Sequence, residues 1–335
     1  MTKKILITGA NGFLGSSITK LGLKKGFSVN VFVRKNSDLS NLKPYFSKIN
    51  LYYGDLRDID SLDKPVKASD VIFHVAADYR LWARKPAEIF STNVFGTENI
   101  ASKILEHNKK MIYTSSVATL AIKNEVISDE NSEASIDEMV GDYKKSKFLA
   151  EKIIIGLIKK KKLKAIITNP STPIGPGDIK PTPTGKIILD VLEKKMPAYV
   201  DTGLNFVHVD DVAEGHFLAL KNGKIGERYI LGGENLEFKK FLDIVSEAAG
   251  VPKVKIKLNQ SYLYPFAFLN EIFAKYFFDY SPSLTIDGLR MSQKKMYFSS
   301  NKAKKLLRYR PRNVKNAIKD SVIWTEKKFL NYGQK

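Results

Sequence analysis

The chain has no cysteine among its 335 residues. That excludes disulfides, thiolate metal sites and a cysteine nucleophile, and no metal centre is expected. No apolar run approaches the ~18 residues of a membrane span. Gly9, Asn11 and Gly12 interrupt the first apolar stretch before it could form a secretory signal core, and the expectation is a cytoplasmic protein. Acid is scarce: 55 Lys and Arg stand against 35 Asp and Glu, a net charge of +20. Such an excess attracts nucleic acid or anionic membranes. The lysines are scattered, however, and the one tight run, residues 159–162, falls where a helix should end and its dipole favours cations. No nucleic-acid module accompanies the charge, so nucleic acid is not an expected partner. Solvated lysine surface is the plain reading, and peripheral contact with a membrane the next.

What is present begins at residue 5. A short apolar run, Ile5-Leu6-Ile7, reads as a buried parallel strand. It breaks at Thr8-Gly9 and restarts as a helix with apolar residues at Phe13, Leu14, Ile18 and Leu21. Gly9, Gly12 and Gly15 fall three apart across the turn: the first for a tight bend, the second for close approach of a pyrophosphate, the third for helix–strand packing. Placed between a strand and a helix, the triplet points to dinucleotide binding at the helix N-terminus.

Strand and helix alternate through the first half, the pattern of a doubly wound parallel sheet. The second strand, 28–33, ends in Arg34-Lys35, where an acid would read the ribose hydroxyl of NAD and arginine accommodates the phosphate of NADP. The pair favours NADP(H) over NAD(H); the bland alternative is two solvated loop cations. Asp55, after the third strand, is placed either to accept from adenine or to cap a helix from residue 58. In His74-Val75-Ala76-Ala77 the small residues let a cofactor lie against the backbone, and His74 reads as packed. Tyr79, Arg80 and Trp82 follow that strand's carboxyl end, where ligands bind in such sheets. A helix is expected over about 86–107, and an acidic surface loop over 121–141. The turn-rich stretches 170–177 and 181–185 are expected to lack regular structure and mark the start of a substrate region, with helices expected over 187–195 and 209–220. The expected division is a nucleotide domain, 1–170, and a smaller mixed α/β substrate region, 171–335, some of whose segments return to the first. Tyr262, Phe266, Phe268, Leu269, Phe273, Tyr276, Phe277 and Phe278 crowd one stretch, read first as the core of a small cap and second as a surface for lipid or a long apolar substrate.

The sharpest chemistry lies in Tyr143-Lys144-Lys145-Ser146-Lys147. Tyrosine and lysine four apart on a helix share a face. A nearby ammonium, with a cationic nicotinamide ring, is expected to lower the phenol from its ordinary pKa of about 10. Tyr143 then gives a proton to a carbonyl oxygen as hydride arrives, Lys147 tunes it and holds the cofactor ribose, and Ser116, ending the fifth strand, holds the same oxygen.

Together T-G-A-N-G-F-L-G, H-V-A-A, N-V-F-G-T, Y-T-S-S, Y-K-K-S-K and F-V-H-V-D-D-V-A resemble the extended short-chain dehydrogenase/reductases, the family of nucleotide-sugar epimerases, dehydratases and dihydroflavonol reductases. A-A-D-Y-R-L-W-A and M-P-A-Y-V-D-T-G-L-N resemble the hopanoid-associated sugar epimerases near its reductase-like branch. The resemblance implies a Rossmann-type fold, a catalytic set of Ser116, Tyr143 and Lys147, and cofactor contacts at Gly9, Gly12, Phe13, Leu14, Gly15, Arg34, Lys35, Asp55, Leu56, Ala76, Ala77, Asn93, Pro170 and Thr172. It also implies a small-molecule carbonyl or sugar substrate and a homodimer. Tyr79, Arg80, Trp82, Lys180, Thr182, Tyr199 and Phe206 are the expected pocket residues. In one place the chain departs from the pattern: Thr202-Gly203-Leu204-Asn205 stands where sugar-nucleotide epimerases carry a glutamine and an arginine. That leans toward reduction of a less charged carbonyl compound, with Arg290 left as a candidate phosphate ligand.

Overall fold

The structure is a computed structural model and describes residues 2–122, 126–277, 280, 282 and 284–330. In chain order the elements are β1 (Lys4–Thr8), α1 (Phe13–Lys24), β2 (Ser28–Val33), β3 (Ile49–Tyr53), α2 (Asp60–Lys67), β4 (Val71–His74), α3 (Ala87–Phe90), α4 (Gly96–Glu106) and β5 (Lys110–Thr114). They continue as α5 (Gly141–Lys161), β6 (Lys164–Pro170), β7 (Thr172–Ile174), α6 (Pro183–Leu192), β8 (Ala198–Val200), β9 (Gly203–His208), α7 (Val209–Asn222), β10 (Arg228–Leu231) and β11 (Glu234–Glu237). The last are α8 (Phe238–Ala249), β12 (Ile256–Leu258), α9 (Tyr264–Tyr276), α10 (Ile286–Ser292), β13 (Lys295–Met296) and α11 (Val314–Thr325).

Seven parallel strands form the main sheet in the order β10-β6-β5-β4-β1-β2-β3. Alternate residues of each strand feed opposite faces. Ile5 and Ile7 enter a core with Ile18, Val31, Phe73 and Phe217, whereas Leu6 enters one with Leu62, Ile72, Ile100 and Ile154. Burial on both faces explains why the strands read as unbroken apolar runs rather than alternating ones. The strand order reverses between β1 and β4, so the chain leaves both strands beside one crevice, the place where ligands bind in such sheets. From beyond residue 170, β10 pairs with β6, and α7 packs on α1 through Lys20–Asp210 at 3.0 Å and Lys25–Glu214 at 2.9 Å.

A smaller sheet, β11-β9-β13 with β7 on β9, and the pair β12-β8 complete the fold. Strands β7, β9 and β11 supply Ile174, Phe206 and Leu236 to a third core, in which Phe206 stacks on Phe241 at 4.1 Å. Helix α6 starts at Pro183, earlier than the expected 187: Pro183 occupies the first turn, and Thr182 accepts from the Gly185 N–H at 3.1 Å. The expected helix over 86–107 is present but opens into a π turn at Ser91–Phe95 between α3 and α4. In the acidic loop, Glu130 is buried and accepts from the Ile230 N–H at 2.8 Å; Lys123, Asn124 and Glu125 lie outside the described residues. The aromatic stretch does not form a cap core, because its large side chains face outward; Phe278 lies outside the described residues. Among the described residues no helix is long and apolar enough to cross a membrane.

Candidate functional site

The turn after β1 is a cradle that side chains would fill. Gly9 has φ +66°, and a Cβ there would lie 2.7 Å from the Ala76 Cα. One on Gly15 would meet the Gly9 carbonyl oxygen at 2.0 Å. Glycine thus lets the two strand exits close on each other and lets α1 sit against the turn. The first N–H groups of α1 lack helical acceptors, and no acid stands in its first turn. Such a donor set fits the pyrophosphate of a dinucleotide. Leu14 packs its side chain into the core, so only its backbone faces the turn. Behind the cradle, Thr8 Oγ1 receives the N–H groups of Val75 and Ala76 at 3.1 and 3.2 Å and contacts His74 Nδ1 at 2.9 Å. His74 Nε2 meets Thr97 Oγ1 at 3.0 Å, and burial pushes this imidazole down to about 3.

At the adenosine end, Arg34 and Lys35 are exposed beyond β2. The Asp55 carboxylate is already engaged: Arg57 grips it with Nε at 2.9 Å and Nη2 at 2.6 Å, and holds it below the usual carboxylate range. Arg57 was not anticipated, and α2 begins at Asp60 without help from the Asp55 side chain. Leu56 is buried where Gly96 permits, since a Cβ on Gly96 would lie 2.8 Å from the Leu56 Cβ. Asn93, in the π turn, is fully engaged within the protein. It accepts from the Asp78 N–H at 2.7 Å and donates to the Asp78 carbonyl at 2.8 Å and to Ser146 Oγ at 2.9 Å. It braces the loop after β4 against α5.

Ser116, Tyr143 and Lys147 converge at the carboxyl end of β5. Ser116 caps the short turn that follows, accepting from the Ala118 N–H at 3.1 Å, with its hydroxyl turned toward the Tyr143 phenol. The expected tuning of Tyr143 by Lys147 is corrected by the geometry. Burial raises the phenol above its ordinary value, opposed only by the neighbouring Ser116 hydroxyl. The Lys147 ammonium instead donates to the Thr114 carbonyl at 2.7 Å and lies 5.1 Å from the Tyr113 ring centre. Burial brings Lys147 down to about 8. One turn further along α5, Glu151 accepts from Thr119 Oγ1 at 3.1 Å and from Asn169 at 2.9 Å, and Asn169 also donates to the Ser116 carbonyl at 3.0 Å. This buried bracket fixes the Ser116 backbone. Only the four-residue spacing of Lys147 and Glu151 hinted at it.

The substrate side is more mixed. Tyr79 donates to the Lys180 carbonyl at 3.2 Å, bringing two expected pocket residues together. Arg80 is not a free cation: it grips Asp78, at 2.6 Å from Nη2, and reaches Glu88 at 3.1 Å. Trp82 and Tyr199 are half-buried, with Lys239 5.8 Å above the Tyr199 ring. Thr182 donates to Asp178 at 2.8 Å; burial lifts that carboxyl to about 6. Phe206 is buried outright in the third core, which removes it from any pocket wall. Asn205, in the stretch that replaces the epimerase pair, is spent on Asn235, Phe298 and Gly233. A cavity of about 40 Å³ opens between Ala118, Met139, Lys144, Arg290 and Lys294. Lys144 is 9% exposed, has no hydrogen bond or ion pair among the described residues, and is brought down to about 8 by burial, with Lys294 adding to it. No sequence pattern flagged it.

No described histidine is placed for proton transfer here. His74 is sealed between the Thr8 and Thr97 hydroxyls, His216 between the Val212 carbonyl and the Thr114 and Thr168 hydroxyls, His208 caps α7, and His107 meets Asp63 at 2.8 Å. The one metal-like cluster among the described residues, Asp63, Glu106 and His107, already holds the Lys103 ammonium, 2.9 Å from Glu106.

The NAD dependent epimerase/dehydratase family matches residues 5–232. A putative dihydroflavonol 4-reductase of Synechocystis sp. is 38% identical, the match covering 99% of this chain and 96% of that one. The crystal structure of gox2253 is 48% identical, with a TM-score of 0.87 over 97% of this chain and 98% of that one. The dTDP-glucose 4,6-dehydratase DesIV of Streptomyces venezuelae, solved with NAD bound, shares the fold at 19% identity, with a TM-score of 0.80 over 98% of both chains. On this match over most of its length, the chain belongs to the NAD-dependent epimerase/dehydratase family of extended short-chain dehydrogenase/reductases, NAD(P)-dependent enzymes with a Rossmann-type fold.

Proposed function

We propose that the chain is an NADP(H)-dependent reductase of aldehydes or ketones. The observation that carries this is Arg34 at the end of β2, exposed and with no ion pair among the described residues, where an NAD-reading acid would stand. The relative named as a reductase, at 38% identity over nearly the whole chain, supports it. In this reading the α1 N-terminus and Gly12 receive the pyrophosphate, and Arg34 with Lys35 the ribose phosphate. Ala76 and Ala77 offer backbone to the dinucleotide; Pro170 and Thr172 flank its nicotinamide half. The nucleotide unit ends near residue 170, and β10 and α7 are later segments returned to it.

The bound nicotinamide supplies a hydride to the substrate carbon and its positive ring in the reverse direction. Everything else is done by side chains. Ser116 donates a hydrogen bond to the carbonyl oxygen and polarises it. Tyr143 delivers the proton to that oxygen, so that carbonyl plus hydride plus proton gives an alcohol. Its raised pKa keeps the phenol protonated before reduction, as an acid must be. Lys147, charged below about pH 8, would hold the nicotinamide ribose from its seat on the Thr114 carbonyl. Tyr79, Trp82 and Lys180 flank the substrate entrance.

Titration of the purified protein with NADPH and NADH tests the reading. A preference for NADPH of about tenfold, ~1.4 kcal/mol, that Arg34→Ala abolishes is the expected result. The family resemblance to sugar epimerases carries the competing reading. A protein purified with NAD already bound, indifferent to NADPH and active on sugars without added cofactor, would establish that one instead.

A further inference from the structure

Helix α9 is built inside out. A surface helix ordinarily turns its apolar stripe to the core and its polar face to water. Within α9 the only buried residues are Ala267 and Ala274. Polar groups do the anchoring: Asn270 donates to the Leu284 carbonyl at 3.2 Å, and the Glu271 carboxylate accepts from the Ile286 N–H at 2.8 Å. From the loop after β4, Arg84 donates to the Ala274 carbonyl at 2.8 Å. Phe266 is 65% exposed and Tyr276 68%, with Phe268, Leu269 and Phe277 at least half exposed beside them. Upstream, Tyr262 and the β12 residues Ile256 and Leu258 are exposed as well. Large apolar side chains gathered on one exposed element mark an interaction surface.

The charge around this surface selects its partner. Residues 251–277 contain Lys253, Lys255, Lys257 and Lys275 against a single acid, Glu271, which is turned to Ile286. Lys257 is paired with Asp201 at 2.7 Å; Lys253, Lys255 and Lys275 are exposed and carry no ion pair among the described residues. Exposed aromatics flanked by unpaired lysines match an anionic interface, where rings enter the headgroup boundary and ammonium groups meet phosphate. A second copy would bring the same lysines and another +20 of net charge against its mate. We propose that α9, with β12, seats the protein on an anionic phospholipid bilayer.

Because Arg84 ties α9 to the loop that carries Tyr79 and Trp82, the seated face adjoins the proposed substrate entrance. Delivery of an apolar carbonyl compound from the bilayer is the corollary. It rests on the reductase reading, whereas the seating does not, so the test is one of binding. The full chain is sedimented with phosphatidylcholine vesicles and with vesicles containing phosphatidylglycerol. Expected is partitioning at least about tenfold stronger onto the anionic vesicles, and a similar loss in the combined variant Phe266→Ser, Phe268→Ser, Phe277→Ser. These side chains are exposed, so the variant is expected to fold, and an unchanged thermal melting temperature verifies it. No binding to anionic vesicles at low salt overturns the proposal. So does undiminished binding of the variant, which would leave only diffuse lysine attraction. Conversion of a wild-type dimer to a monomer by the same substitutions would show instead that a second copy covers the face.

Discussion

Helices α5 and α9 make opposite departures from ordinary patterning. The first buries charge: Lys144, Lys147 and Glu151 all lie below a tenth exposed. The second exposes aromatic rings and anchors itself through an asparagine and a glutamate. Both arrangements cost stability in an isolated monomer, because desolvating an ammonium and wetting a phenyl ring are each unfavourable. The lesson is that composition alone did not separate them from their neighbours. Only the direction in which each side chain points shows where the fold gives up stability, and both places adjoin the proposed chemistry.

The comparison predicts how each helix responds to substitution. On α5 the largest effect is expected from Tyr143→Phe, which keeps the ring and removes the proton. Turnover should fall by about 10²–10⁴ with cofactor affinity nearly unchanged, as steady-state rates and an NADPH titration together would reveal. A wild-type rate in that variant would remove Tyr143 from the mechanism.

The intermediate effect concerns Lys144, and its sign follows from linkage. Its folded pKa, about 8, lies below the ordinary 10.5 of the unfolded chain. Between those values the unfolded state binds more protons, so stability rises with pH across that window: the cost of burying the ammonium is felt in full below pH 8 and is gone above the unfolded value. Lys144→Met should therefore stabilise the protein near neutral pH by about 1–3 kcal/mol and flatten the rise in Tm above pH 8. Thermal melts at a series of pH values check both. A destabilised variant would mean that the ammonium is satisfied rather than strained.

The smallest effect should come from α9. Phe266→Ser alone leaves stability within about 0.5 kcal/mol. Urea unfolding would show it, and a loss well beyond that would reveal that the ring is packed in solution.

Much of the nucleotide half was legible because its signals are local. The glycine spacing, the apolar runs of β1 to β6 and the position of Tyr143 and Lys147 on one helix are all contained in windows of a dozen residues. What was missed depends on distant chain segments meeting. The Glu151–Thr119–Asn169 bracket joins three elements, and the Lys147 ammonium found a backbone carbonyl of β5 rather than the phenol four residues away. Phe206 is an expected pocket residue only on the ground that the pocket set follows strand ends, yet its pairing into β9 turns it onto Phe241. The aromatic stretch failed as a core assignment for a related reason. Hydrophobicity gives the amount of apolar surface in α9, but which side faces the protein is set by Asn270 and Glu271, whose partners lie 14 and 15 residues away.

The π turn at Ser91–Phe95 gives chain length here an unusual meaning. A five-residue turn holds one residue more than the regular helix can, and each residue adds about 100° of rotation. That surplus residue aims Asn93 at both Asp78 and Ser146. Deleting one residue would restore an unbroken α-helix and swing the amide away from both, cutting the loop after β4 loose from the helix that carries Tyr143. At this spot the protein is encoded by counting as much as by chemistry: the number of residues in the turn, and not only their identity, holds the loop to the helix.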